Sequence, residues 1–297
     1  MDYGILVINK PTDFTSHDVI AILRGITGIR KMGHTGTLDP NATGVLPVCF
    51  GKATKLIEYM DTAAKTYVAG IRFGLVTDTQ DIWGRPEDTA VSVSKAVPAV
   101  SSEIEAVLDG FRGEIEQVPP SYSAVFVDGR RAYDIARSGG KPELKARMIT
   151  VYSLRLLDYD PSSAEGHIEV KCSRGTYVRT ICHDIGMALG CGACLSSLVR
   201  TEACGFGIRD ALDLEKARQM SSEEVLALAR PVEDALGSMP RLELEDDLSR
   251  PYLNGMTLKV PSEGFPQGAP VAVYCGGKLL GISSFDTDRL KPLKVFS

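Results

Sequence analysis

Between Gly33 and Gly44 the chain reads GHTGTLDPNATG, dense in glycine and hydrogen-bonding side chains around a single carboxylate, Asp39. Glycines let a backbone adopt positive φ and lie close to a ligand. Pro40 biases the residue before it toward extended conformations, which fixes where the Asp39 carboxylate points. A rigid loop presenting one oriented acid suits nucleophilic or acid–base chemistry, because an ionised carboxylate can attack carbon or take a proton. The same residues also fit a structural Asx-Pro turn in which Asp39 caps the next segment. Glycoside hydrolysis would need a second, matched acid, and none stands out.

A second stretch, Phe126 to Arg147, holds six basic residues (Arg130, Arg131, Arg137, Lys141, Lys145 and Arg147) against three acidic ones. From Asp210 to Asp247 the balance reverses, with eleven acids against four bases. Phosphate contacts are local, so a net charge of -5 does not exclude nucleic acid. An ordinary solvated helix and loop has the same composition. The seven cysteines are odd in number and lack a disulfide framework, which fits reduced thiols in a cytoplasmic protein. Cys191 and Cys194 form a C-x-x-C with Cys182, His183 and Cys204 nearby. A zinc site wants a second ligand pair at regular spacing, and none is clear, so no metal is expected. No apolar run approaches the roughly 18 residues that span a bilayer, and the start, MDYGILVINKP, reads as a strand and not a signal peptide.

The elements around these residues follow from periodicity and caps. Tyr3 to Asn9 predicts a strand. Ser16 is placed to cap a helix with Ile20, Leu23 and Ile26 on one stripe and Gly28 as its stop. Ala53, Leu56, Ile57 and Met60 predict a second helix. Lys65 to Phe73 alternates, putting Tyr67, Ala69, Ile71 and Phe73 on one strand face. Ser102 and Glu105 suggest a capping box opening a further helix. Strands are expected over 149–159 and 166–172, and a helix from about Thr180 to Leu189. The order lacks a regular βαβ beat, so the class is α+β. Past Pro240, short apolar runs flank Gly276-Gly277, the signal of a β-hairpin in a small C-terminal unit.

GHTGTLDPNATGVLPVCFGKATK closely resembles the catalytic motif of the TruB family of tRNA pseudouridine synthases. Further likenesses follow in the same order along about residues 5 to 205. Asn9-Lys10-Pro11 resembles that family's N-terminal signature, and Lys65-Thr66-Tyr67 its tyrosine strand. QVPPSYSAVFVDGRRAYDIAR (117–137) resembles its substrate-binding insertion and CSRGTYVRTICHDIG (172–186) its arginine motif. Leu198-Val199-Arg200-Thr201 resembles its apolar closing motif. Cys182-His183 departs from the usual pattern, and the C-terminal region is matched only loosely.

The resemblance implies an α+β fold: a catalytic domain with a mixed, mainly antiparallel sheet over 1–239 and an RNA-binding insertion at about 124–148. A small β-rich, PUA-like RNA-binding domain over 240–297 completes it. It implies an isomerase converting uridine 55 in the T loop of tRNA to pseudouridine. Asp39 would be the catalytic carboxylate, Arg179 its ion-pair partner, and Tyr67 the ring stacked on the target base. Leu198 would close the other face of the base, and His34 would brace the stack emptied when the uridine flips out. Lys10 would support the loop or contact a phosphate. Arg130, Arg131 and Arg137 would hold the RNA backbone. No cofactor is expected, because breaking a C–N bond and forming a C–C bond on the same base involves no redox change. The partner is the T arm of tRNA, with no membrane and no obligatory protein partner for a monomeric cytoplasmic enzyme. Two rivals stand beside it. One is a guide-dependent ribosomal RNA pseudouridine synthase, which the start directly at the first strand and the short tail disfavour. The other is an RNA-folding protein without catalysis, which the set Asp39, Tyr67, Arg179 and Leu198 disfavours. The break near Pro240 further suggests that a chain ending near Met239 folds on its own.

Overall fold

The computed structural model describes residues 3–60, 63–87, 96–237 and 239–296. The first strand, β1 (Gly4–Lys10), is apolar on both sides: Leu6 and Ile8 enter one core, Ile5 and Val7 another. A strand read this way must sit inside a sheet covered on both faces, and it does. Chain order continues through β2 (Met32–His34), β3 (Thr43–Phe50), β4 (Lys65–Phe73) and β5 (Gly113–Gln117). A separate hairpin, β6 (Phe126–Val127) and β7 (Arg130–Arg131), precedes β8 (Arg147–Asp160) and β9 (Glu165–Cys172). Then come β10 (Ala193–Ala203), β11 (Phe206–Gly207) and β12 (Leu212–Asp213).

The large sheet runs β12-β1-β3-β10-β4-β9-β8-β5, with β2 added to β3 and β11 to β10. Its pairs are antiparallel except β1 with β12 and β3 with β10, so the mixed, mainly antiparallel sheet of an α+β fold is what the chain forms. β4 spans the expected residues, with Tyr67, Ala69, Ile71 and Phe73 all buried. One face packs on the helices α1 (Ser16–Thr27), α3 (Ser101–Leu108) and α5 (Val178–Leu189). Two short helices, α2 (Ile57–Met60) and α4 (Ala132–Arg137), lie between them in the chain. No helix among the described residues is long and apolar enough to cross a membrane.

Three expectations are corrected. Thr15, not Ser16, caps α1: its side chain accepts from Asp18 N–H while the Asp18 carboxylate accepts from Thr15 N–H. Ser16 is buried and bonds elsewhere, as described below. α3 starts at Ser101 after an uncapped Val100, so Glu103 and not Glu105 reaches back, accepting from Ala99 N–H. The third correction is the separability of the C-terminal part.

That part forms its own sheet from β13 (Arg241–Glu243), β14 (Leu258–Lys259), β15 (Pro270–Cys275), β16 (Lys278–Asp286) and β17 (Arg289–Val295). Gly276 and Gly277 turn the chain between β15 and β16 with φ of 55° and 74°, as the hairpin signal requires. Yet Ala272, Tyr274, Leu279, Ile282 and Phe296 share one buried cluster with Ile5, Val7, Val45, Cys49, Leu56 and Met60. Lys55 donates to the Val295 carbonyl at 2.9 Å, and Lys294 pairs with Glu58 at 2.9 Å. The back of the main sheet is therefore covered in part by the C-terminal sheet, and a chain ending near Met239 would uncover that part.

Candidate active site

The Asp39 loop is held at alternate carbonyls by buried side chains from three elements. Gly36 C=O accepts from Arg200 Nη2 of β10 at 3.2 Å. Leu38 C=O accepts from the Ser16 hydroxyl of α1 at 3.3 Å, and Leu38 N–H donates back to Ser16 Oγ at 2.9 Å. Pro40 C=O accepts from Lys10 Nζ of β1 at 2.9 Å. Between these struts a turn closes with Ala42 N–H donating to Asp39 C=O at 3.0 Å. The loop backbone is pinned on both sides of Asp39, whose own side chain stays half-exposed.

Lys10 is 0% exposed, and its ammonium also donates to Pro11 C=O at 2.9 Å and Phe14 C=O at 2.5 Å. All three of its protons are used inside the protein, and of the two expected roles these bonds serve support of the loop. Burial pushes its pKa down to about 8, against the pull of Asp39 and Asp13 in the other direction. Arg200, also fully buried, donates from Nε to Val45 C=O at 2.7 Å. Its strand meets β3 in parallel at Val199–Thr43 and Arg200–Gly44. Gly44 has φ of +100°, and a Cβ there would lie 2.2 Å from Arg200 O, so only glycine permits this junction.

Arg179, near the start of α5 and 7% exposed, meets Asp39 with Nε 3.0 Å from Oδ2. Its orientation is set by other groups. Nη1 donates to Thr79 C=O at 3.1 Å and faces Asp81 Oδ2 at 3.6 Å, while Nη2 donates to Tyr122 C=O at 3.1 Å. Asp81 is fixed in turn: Thr79 Oγ1 donates to its Oδ1 at 2.6 Å, and Ile82 N–H bonds to Leu195 C=O of β10. The guanidinium thus spans two carboxylates, one half-exposed and one largely buried, which suits its planar fork.

Tyr67 and Leu198 lie on one face of neighbouring strands: Tyr67 pairs with Arg200, and Ala69 with Leu198. Both side chains are buried to within a tenth, and Arg200 connects their face to the Asp39 loop. His34 ends β2, half-buried, its ring 6.0 Å from that of His17. Arg130, Arg131 and Arg137 sit on β7 and α4, outside this cluster. Their segment reaches it through the Tyr122 carbonyl on Arg179. Sequence reasoning missed Asp81, Ser16 as a strut, and Arg200 as more than part of a closing motif. An arginine inside an apolar strand was the available signal for the last.

Among the described residues no three His, Cys, Asp or Glu side chains group to hold a metal. Cys191 and Cys194 are buried free thiols, and burial pushes Cys194 up to about 11.

A solved structure described as a Cbf5-Nop10-Gar1 complex resembles the chain with a TM-score of 0.76 at 26% identity, covering 100% of this chain and 85% of that one. One of an H/ACA RNP bound to a substrate RNA gives 0.73 at 26%, covering 99% and 85%. The fold is of the pseudouridine synthase type. Residues 24–178 match the TruB family pseudouridylate synthase N-terminal domain, and residues 179–237 the tRNA pseudouridylate synthase B C-terminal domain. The tRNA pseudouridine synthase B of Francisella tularensis subsp. novicida is 40% identical over 299 residues, 97% of this chain and 96% of its own length. That of Azoarcus sp. is 38% identical over 294 residues, 99% and 95%. The chain belongs to the TruB family of pseudouridylate synthases.

Proposed function

We propose that this protein is a tRNA pseudouridine synthase that isomerises uridine 55 of the T loop. The observation that carries the site assignment is the Asp39–Arg179 pair at 3.0 Å on a loop strutted at three carbonyls. Asp39 starts cleavage of the C–N glycosidic bond. The freed uracil turns between Tyr67 and Leu198, C5 bonds to C1′, the C5 proton leaves to solvent, and N1 takes up a proton in its place. Arg179 supplies the counter-charge to the carboxylate when RNA displaces water from the cleft. His34 braces the vacated stack, and Arg130, Arg131 and Arg137 hold the phosphate backbone.

Residues 1–239 make the catalytic domain, with the RNA-binding insertion at about 124–148, and 240–297 a PUA-like module that contacts distant parts of the tRNA. The enzyme acts as a cytoplasmic monomer without guide RNA or protein partner. Curated relatives named tRNA pseudouridine synthase B and matched over nearly their whole length support this over a guide-dependent reading. The test uses tRNA transcript carrying tritium at uridine C5. Wild-type protein alone should release tritium to water from the T loop, and Asp39→Asn should bind the tRNA without release. Release by pure Asp39→Asn, or none by the wild type, would overturn the assignment.

A further inference from the structure

The hairpin of β6 and β7 carries an aromatic ring that folding does not use. Phe126 is 64% exposed, the highest value among large hydrophobic side chains of the described residues, and it joins none of the three apolar clusters. A lone exposed apolar side chain is ordinary in itself. This one is held in place and backed by a charge. Asp128 and Gly129 turn the hairpin with φ of 49° and 79°, the two-residue geometry whose twist matches the flanking strands. That register sets Phe126 opposite Arg131, whose guanidinium carbon lies 5.3 Å from the ring centroid. The same guanidinium is 6.0 Å from the Tyr133 ring, and Arg137 covers Tyr133 at 5.5 Å.

The hairpin is also anchored beside the reacting carboxylate. Ala132 N–H donates to Val125 C=O at 2.8 Å and Tyr133 N–H to Ser123 C=O at 3.1 Å. Tyr122 C=O accepts from the arginine that meets Asp39. Four residues of chain reach at most about 14 Å, roughly four nucleotides at ~3.4 Å each. A ring with an open face, a cation behind it and more arginines alongside has the chemistry that takes an unpaired base by stacking while phosphates settle on the charges.

We propose that Phe126, backed by Arg131, is a stacking platform for an unpaired nucleobase of the substrate RNA near the target uridine. This rests on the reading that RNA enters beside Asp39, and it adds a contact that acts through a π-face and not through charge. The two are separable in experiment. Full-length wild type, Phe126→Ala, Phe126→Tyr and Phe126→Leu are titrated with a T-arm stem-loop over a range of salt. Phe126→Ala should bind about 10- to 100-fold more weakly with an unchanged salt slope, because no phosphate contact is lost. Phe126→Tyr should restore affinity and Phe126→Leu should not, since leucine has bulk without a π-face. With 2-aminopurine at successive loop positions, one position should be quenched by wild type and the Tyr variant only. Wild-type affinity in Phe126→Ala, equal rescue by leucine, or a shallower salt slope would each overturn the proposal. Failure of the functional reading shows instead as no tritium release by wild type, independently of these binding ratios.

Discussion

Lys10→Met separates what a buried ammonium does for stability from what it does for the Asp39 loop. Its pKa drops from 10.5 to about 8 on folding, so at pH 7 the folded protein carries an electrostatic cost of about 3 kcal/mol for keeping this group charged. Methionine removes that cost along with the bonds to Pro11, Phe14 and Pro40 carbonyls, each worth roughly 1.5–3 kcal/mol when the donor is charged. The bonds, about 4.5–9 kcal/mol together, are offset only in part by the ~3 kcal/mol removed, so Lys10→Met should lose roughly 1.5–6 kcal/mol of stability. Activity has no such compensation. The strut one residue past Asp39 is gone, and a displacement of ~1 Å at a reacting group costs on the order of 100-fold in rate. Tritium release at saturating tRNA should therefore fall on the order of 100-fold even at a temperature where the variant is still folded. The pH dependence has opposite signs in the two readouts. Between about pH 8 and 10.5 the unfolded chain holds the Lys10 proton and the folded one does not, so this group's contribution to stability rises with pH. Over the same range the neutral amine has too few protons for three carbonyls, and kcat should decline with a midpoint near pH 8. Lys10→Met should lack both limbs. A variant with wild-type kcat, or a wild-type profile flat through pH 9, would refute the strut argument.

Arg179→Ala should lower kcat by orders of magnitude, and Arg179→Lys should recover only part of it, because one ammonium cannot serve Asp39, Asp81 and two carbonyls at once. Equal rates for lysine and arginine in single-turnover assays would count against the fork. Ending the chain at Met239 uncovers Ile5, Val7, Val45, Leu56 and Met60. At about 2 kcal/mol per side chain, exposing half of that burial costs ~5 kcal/mol, a large share of a domain's net stability. The truncated chain should be insoluble on expression, and a soluble, cooperatively melting product would contradict the shared core. Neutralising Arg130, Arg131 and Arg137 together should weaken tRNA binding and flatten its salt dependence, with less change in rate at saturation. An unchanged slope in filter-binding titrations would place the backbone contacts elsewhere.

Local pattern was enough for β4, whose nine residues alternate as read, for α5 within two residues of its expected start, and for the Gly276-Gly277 hairpin. Asp39 was visible because a proline, glycines and a family likeness converge on it. What escaped was non-local. The unbroken apolar run of β1 says that both its faces are covered but not that residues more than 260 positions away cover one of them. Ser16 fits the composition of an N-cap, and only the fold shows Thr15 in that place and Ser16 turned toward Leu38. Asp81 reads as one acid in a polar turn until α5 brings Arg179 against it. Side chains that act by holding something distant have no signature in their own neighbourhood.

The sharing of one core by both ends of the chain bears on how the protein is born. Ile5 and Val7 leave the ribosome long before Ile282 and Phe296, their partners in burial. The Tyr3 and Phe296 rings meet edge to face at 5.2 Å. Until the strands β15 to β17 emerge, part of the apolar back of the nascent sheet lacks its cover, which exposes it to aggregation during translation. β16, β17 and Phe296 act as a closing seam, and the shared core is complete only when they dock.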